Sequence, residues 1–514
     1  MEKNISASGG ENLYGLFRAS AERFSGKPAL HYSSATLTYG ELNSEVNRLA
    51  KVLSGVGVTR GDRVFLSLPN SAAFFVSYLA AFKLGAVAVP FSTSFTPAEI
   101  ASLLQHSRAS FGIVFDGLPD TVEAGVAQAG SKPTLITVAW DAGGDIRYSA
   151  PKNEALSPSA HTEVLSGDPA VILYTSGTTG SPKGVVLSHR NIVSNAISCS
   201  AALPVSQDDV FITLIPMYHS FGFTVCTMLP LLLGSTCVVL PGPKKELVAD
   251  AVKRFGVTVF VGIPALFGIM ALADQGTASC FDTVRFFASG AAPLSIRTIE
   301  MFSRKYRAPL LEGYGLTEAA PVVSLNPHDG IRKNGSIGVP VPGVSVKVVG
   351  ESGEELARGE VGELLVKGPN VMSGYFGDEV ATEERIADGW LRSGDMARMD
   401  SDGYIYIEDR KDDMILVQGA NVYPHEIEDL IRDIPGVLEV AVVGVSDSHL
   451  GKRPVAIVQR AKGASLDEAT VTEHCRRGLS AHKVPRRVDF WDEIPLSPLG
   501  KPLKWQIREM LIQG

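Results

Sequence analysis

Cysteine is scarce and scattered in this chain. Five are present, Cys199, Cys226, Cys237, Cys280 and Cys475, an odd number with no C-x-x-C pair. Neither a disulfide framework nor a thiolate zinc site is indicated, and a reducing, cytoplasmic setting fits best. An excess of basic residues is also missing: 47 Lys and Arg stand against 55 Asp and Glu, for a net charge of −8. That balance excludes the broadly basic surface that non-specific nucleic-acid binding needs. Met1 to Asn12 is polar and has no apolar segment of the kind a signal peptide carries. Low-complexity tracts and internal repeats are absent. One uncharged stretch, Phe221 to Leu240, has the length of a bilayer span. Pro230, Gly234 and Ser235 interrupt it, and it ends in the β-branched run around Val238. It reads as a buried helix, a turn and a buried strand, which leaves only peripheral membrane contact open.

What is present is a long chain with alternating strand and helix signals. At 514 residues it needs at least two cores. Tyr39 to Leu53 carries a helical stripe of Leu42, Val46, Leu49, Ala50 and Leu53. Arg63 to Leu68 reads as a buried strand, Ala72 to Leu84 as an apolar helix, and Ala86 to Val89 and Phe111 to Phe115 as strands. Thr96-Pro97-Ala98-Glu99 is a capping box with proline at the first helical position. Such repetition predicts parallel sheets covered by helices. Pro151 to Ser166 is a polar connection. Beyond residue 330 the texture becomes β-rich, with strands over Ser336 to Val349, Gly362 to Lys367 and Tyr404 to Glu408. A smaller α+β unit follows, with a helix Pro424 to Arg432 and strands Val440 to Val445 and Pro454 to Gln459. The pattern Ser465-Leu466-Asp467-Glu468 reads as a capping box opening another helix. The fold expected is α/β. A large domain, 1–411, combines helix-covered sheets and a β-rich subdomain, and a small mobile α+β domain, 412–514, follows.

The strongest chemical signal follows the strand at Ala170 to Leu173. It runs Thr175-Ser176-Gly177-Thr178-Thr179-Gly180-Ser181-Pro182-Lys183-Gly184. Glycines free backbone N–H groups to face an anion, hydroxyls add donors, and Lys183 adds a point charge, a combination suited to a triphosphate. The spacing is not that of a Walker A loop. A flexible linker could share the composition, but not the lysine set after proline beside a buried strand. Further segments are Pro216-Met217-Tyr218-His219, Ser289-Gly290-Ala291-Ala292-Pro293-Leu294 and Glu312-Gly313-Tyr314-Gly315-Leu316-Thr317-Glu318. They continue with Ser393-Gly394-Asp395, Asp409-Arg410-Lys411-Asp412-Asp413, Gln418-Gly419-Ala420-Asn421-Val422-Tyr423-Pro424 and Pro498-Leu499-Gly500-Lys501. Eight segments in this order resemble the adenylate-forming superfamily of acyl-CoA synthetases, adenylation domains and luciferases. The likeness extends over nearly the whole chain.

The resemblance implies a role for each segment. Tyr314 stacks on adenine against a wall of Gly290, Ala291 and Ala292, with Glu312, Gly313 and Gly315 beside it. Thr175 to Gly180 and Lys183 take the phosphates, together with Thr317, and Glu318 holds Mg²⁺. Asp395 accepts from the ribose hydroxyls, with Arg410 nearby; a plain structural salt bridge between these two stays open. Lys501 reaches in from the small domain to the carboxylate and the α-phosphate, where a cation offsets the repulsion between two anions. Lys501, Lys183 and His219 are thus the catalytic candidates, and Asp412 is the hinge. Gln418, Gly419 and Ala420 line the path of coenzyme A. Some positions depart from the common pattern: Ser393 for threonine, Asp409 for glycine, His482 for tyrosine, and Gly451-Lys452-Arg453-Pro454 for a more acidic stretch.

The acid pocket implied lies between His219, Phe223, Val261, Gly290 and Gly313, with Phe221, Ile263, Leu266 and Phe267 around it. Position 313 is glycine where relatives that activate dicarboxylates carry arginine, and an apolar slot suits a monocarboxylate with a hydrocarbon tail. The expected function is a medium- or long-chain fatty acid–CoA ligase. It forms acyl-AMP and pyrophosphate from acid and ATP with Mg²⁺, then acyl-CoA and AMP. Aryl acids, and transfer to a carrier-protein thiol, are the alternatives; monomer and homodimer both stay open.

Overall fold

The computed structural model describes residues 12–140, 145–151, 163–175, 183–417, 420–447, 451–497 and 499–513. The helix at Tyr39–Gly55 buries Leu42, Val46, Leu49, Ala50 and Leu53, and a capping box at Thr38 and Glu41 opens it. The second capping box, Thr96 with Glu99, opens the helix Pro97–Ser107. Ala72–Leu84 is apolar on every side and lies buried along nearly its whole length, as a helix without a polar face must.

Two sheets organise the large domain. In an eight-stranded sheet the five central strands, Pro169–Thr175, Val87–Pro90, Arg63–Ser67, Phe111–Phe115 and Thr134–Trp140, run parallel. A nine-stranded sheet has a parallel centre that includes Val210–Thr213, Val259–Gly262, Phe286–Ser289 and Leu310–Gly315. Thr175, Gly262, Ser289 and Gly315 close their strands at the carboxyl ends, the edge where open α/β sheets place ligands. A third, antiparallel sheet built around Gly362–Lys367 and Trp390–Met399 carries Asp395 and Arg410.

The small domain has cores of its own. Along Val437–Asp447, Val440 and Val442 enter one cluster while Ala441 and Val443 enter another on the opposite face. This is the period-two alternation of a sheet covered on both sides. Its helix Pro424–Arg432 has the expected bounds.

Two details differ from the sequence reading. The helix Glu468–Gly478 is capped by Asp467, not Ser465, because the Asp467 carboxylate accepts from both the N–H and the hydroxyl of Thr470. The uncharged stretch does form helix, turn and strand, but its helix includes a π-helical turn at Thr224–Met228. Most of the 151–166 connection lies outside the described residues. Among the described residues no helix is long and apolar enough to cross a membrane.

Candidate active site

The strand Leu310–Gly315 delivers Tyr314 to the cleft. Its phenol donates a short hydrogen bond to Oδ2 of Asp395, 81 residues away. Arg410 donates to Oδ1 of the same carboxylate at 2.9 Å. The salt bridge left open by the sequence is therefore present. Each carboxylate oxygen still has a lone pair free for a ligand hydroxyl. The Asp395 carboxylate raises the Arg410 pKa, while burial and the same carboxylate raise that of Tyr314. Both effects keep the pair in its hydrogen-bonded form.

Beside the Tyr314 strand runs the small-residue segment after Phe286–Ser289, with Gly290 near the Gly313 carbonyl. Ala291 there adopts a left-handed backbone, φ 74°. Glu312 clamps this segment to the Tyr314 strand: its Oε1 accepts from the N–H of Leu294 at 3.1 Å. The carboxyl is buried, and its Oε2 has no hydrogen-bond partner. Burial pushes its pKa up to about 8, against the Leu294 hydrogen bond, which favours the anion. Glu312 is thus a largely neutral acid behind the wall. At Gly315 a Cβ would lie 2.2 Å from the carbonyl oxygen of Pro321, so only glycine fits beside the ring.

Thr175 pairs with Lys183 across the antiparallel strands Pro169–Thr175 and Lys183–Ser188. Ser176, Gly177, Thr178, Thr179 and Gly180 lie outside the described residues. Lys183 Nζ sits 5.0 Å from the ring centroid of Tyr375, whose hydroxyl donates to Glu318 Oε1 at 2.9 Å. Thr317 lies beside it, its Oγ1 3.3 Å from Ser220 Oγ. Among the described residues no group of three or more His, Cys, Asp or Glu could hold a metal ion. Glu318 therefore stands as a single carboxylate, a donor set that fits Mg²⁺ carried mainly by phosphate oxygens and water.

Lys501 enters this cleft from the small domain. A tight turn presents it: Ser497 donates its N–H to the Lys501 carbonyl at 2.7 Å, and Lys501 donates its N–H to Ser497 Oγ at 3.0 Å. Leu499, in the same turn, is buried in the large domain's hydrophobic core. The protein around the Lys501 ammonium lowers its pKa, as does Arg410, while Asp395 opposes the shift. His219 caps the helix Ser220–Phe223, its Nδ1 accepting from the N–H of Phe221 at 3.2 Å. Burial lowers the His219 pKa to about 4, and the Lys501 charge adds to the effect. With Nδ1 accepting, the neutral ring carries its proton on Nε2.

The two domains also meet at Asp409. This buried carboxylate accepts from the N–H of Arg410 and, across the junction, from that of His425 in the small domain, each at 2.7 Å. Lys504 pairs with Glu428 at 2.8 Å in the same region. Asp412 is exposed in the turn that follows Arg410. Ala420 begins the small-domain hairpin strand Ala420–Val422, and Gln418 and Gly419 lie outside the described residues.

Close to His219, Phe221 reaches Gly290, whose missing Cβ would lie 3.1 Å from the Phe221 ring. Phe223, expected in the pocket, instead packs on Tyr78 at 4.6 Å and on Phe82, fully buried. Two residues apart on a helix, the rings point to different faces. Val261 is buried at the end of its strand, and Gly313 faces Ser324 and Leu325. The sequence reading missed Tyr375, Ser220 and Arg385. The only local signal for Tyr375 was its Gly374-Tyr375-Phe376-Gly377 setting.

Comparison with known proteins identifies the family. Residues 17–376 match the AMP-binding enzyme family, and residues 426–501 match the AMP-binding enzyme C-terminal domain. The chain is 35% identical to a long-chain-fatty-acid–CoA ligase of Salmonella typhimurium strain LT2, over 97% of this chain and 94% of that one. It is 34% identical to a feruloyl-CoA synthase of an Amycolatopsis species, over 93% and 95% of the two. The structure of ATP-bound MatB from Rhodopseudomonas palustris matches with a TM-score of 0.86 at 33% identity, covering 97% of this chain and 99% of that one. The chain belongs to the AMP-binding enzyme family and is an adenylate-forming acid–CoA ligase, using ATP, Mg²⁺ and coenzyme A.

Proposed function

We propose that the acid is a medium- or long-chain fatty acid. The observation that carries this reading is the Phe221 ring lying against Gly290, with glycine rather than a charged residue at position 313. An apolar slot gains about 0.8 kcal/mol for each methylene it buries, so chain length itself supplies binding energy. The likeness to a long-chain-fatty-acid–CoA ligase supports the same choice.

The residues divide the work as follows. Tyr314 and the wall at Gly290, Ala291 and Ala292 hold adenine, and Asp395 with Arg410 holds the ribose. Thr175, Lys183 and Thr317 take the phosphates, and Glu318 would hold Mg²⁺, whose charge would offset theirs. Lys501 faces the carboxylate as its oxygen bonds to the α-phosphorus and the bond to pyrophosphate breaks. In the second step the CoA sulfur bonds to the acyl carbon and AMP leaves. For that step the small domain, 412–514, turns about Asp412, so that Gln418, Gly419 and Ala420 line the thiol's path. Neutral His219 supplies an Nε2–H donor between the acid and thiol sides. Pyrophosphate release measured over acids from C2 to C18 and over aryl acids, each with CoA, tests the reading. Decanoate or a longer acid should give the highest kcat/KM; a feruloyl-type acid or malonate as the best substrate would overturn it.

A further inference from the structure

Arg385 ends the helix Glu379–Arg385 and places its guanidinium in the corner shared by Glu318 and Tyr375. Nη2 donates to the carbonyl oxygen of Ser393 at 2.8 Å. The left-handed turn at Gly394, φ 73°, lies over it, and a Cβ at Gly394 would sit 3.0 Å from Nη1. Nη2 is 3.9 Å from Glu318 Oε1, beyond hydrogen-bond reach. That oxygen is held instead by Tyr375. The Nε atom is buried and has no hydrogen-bond partner.

A guanidinium whose only task was to neutralise Glu318 would close on it as a two-pronged fork. Here the two charges stand apart, each fixed by a different neighbour, and Nε of Arg385 is left without a hydrogen-bond partner. A phosphate carried by a metal would fit such a gap: Glu318 would hold the metal, and the guanidinium would hold the phosphate oxygens. Lys183, over the Tyr375 ring, approaches the same corner from the opposite strand. Arg385 remains a quarter exposed, so an entering ligand can reach it. Lysine would supply the charge but not the planar set of donors.

We propose that Arg385 binds the terminal phosphates of ATP and the pyrophosphate that leaves, beside Lys183 and the metal at Glu318. The proposal rests on assigning Lys183 and Glu318 to the phosphates. The test is the pyrophosphate dependence of ATP synthesis from preformed acyl-AMP, compared with thioester formation from acyl-AMP and CoA by the same protein. Arg385→Gln should raise the KM for Mg-pyrophosphate roughly tenfold or more, as expected for a lost charge-assisted hydrogen bond. It should leave the thioester step within about twofold, and Arg385→Lys should recover part of the loss. An unchanged pyrophosphate KM, or an equal fall in both steps, overturns the proposal; if the Gln variant does not fold, the Lys variant decides by the same criterion. Lys183→Ala and Glu318→Gln run alongside. If neither moves the pyrophosphate KM, the phosphate-side assignment itself fails; if both do and Arg385→Gln does not, only the role of Arg385 fails.

Discussion

Leu499 is buried in the core of the large domain two residues before Lys501, although both belong to the small domain. The lysine's approach to Asp395 and Arg410 is thereby tied to an apolar anchor. Leu499→Ala removes most of a buried leucine, a change that costs about 2–5 kcal/mol in a well-packed core. Because the anchor lies between domains, the loss should fall on docking. Adenylation should slow by roughly tenfold or more, and thioester formation from preformed acyl-AMP should be spared. Stopped-flow pyrophosphate release reads the first step, and a thiol assay reads the second.

The Tyr314 hydroxyl fixes the ring through Asp395. Tyr314→Phe keeps the stacking surface but loses a hydrogen bond to a charged group, about 1.5–3 kcal/mol. The KM for ATP should rise by roughly tenfold or more with a smaller change in kcat. Initial-rate kinetics over ATP concentration checks this; a loss confined to kcat would speak against a binding role.

Stability against pH should carry the mark of Glu312. Its folded pKa of about 8 stands above the ordinary glutamate value of 4.5, so between these values the folded state holds a proton that the unfolded state has lost. Stability from this group is fully present below about 4.5 and is lost as pH rises towards 8, with a limiting slope of about 1.4 kcal/mol per pH unit. Glu312→Gln should remove that slope, so denaturant midpoints of variant and parent should diverge in the variant's favour from pH 5 to pH 8. His219 acts at the other end. With its folded pKa near 4, below the ordinary 6.5, it stabilises the protein above about 6.5 and loses that contribution as pH falls to 4.

Much of the fold was legible because its signals are local. Capping boxes at Thr38 and Thr96 and the stripe from Leu42 to Leu53 are read within a few residues, and the structure forms them as written. The misassigned Ser465 shows the limit: two cap-forming residues stood two apart, and the contact with Thr470 chose Asp467. The active-site segments were visible as motifs, yet their partners were not. Tyr375 meets Glu318 across 57 residues and Arg385 meets Ser393 through a turn, and nothing in the local pattern of either residue marks it as a neighbour. Phe221 and Phe223 were equally apolar in the sequence, and only the helical phase sends one to the cleft and the other to Tyr78.

Asp412 is exposed in the turn that follows Arg410, so a substitution there should act through backbone freedom rather than packing. Proline fixes φ and removes a donor. Asp412→Pro should still release pyrophosphate in a single turnover but make little acyl-CoA, as followed by quenched-flow chromatography of both products.

Lys501 carries the central claim. The most direct measurement is a single-turnover comparison of Lys501→Ala with the parent, following acyl-AMP from acid and ATP and, separately, thioester from preformed acyl-AMP and CoA. Removing a cation that meets both reacting anions should slow the first by roughly 10²-fold or more, on the scale of about 2.7–4 kcal/mol for one lost electrostatic donor. The second should stay near the parent rate. Equal losses in both steps, or an unimpaired adenylation step, would contradict the assignment of Lys501 to acid activation.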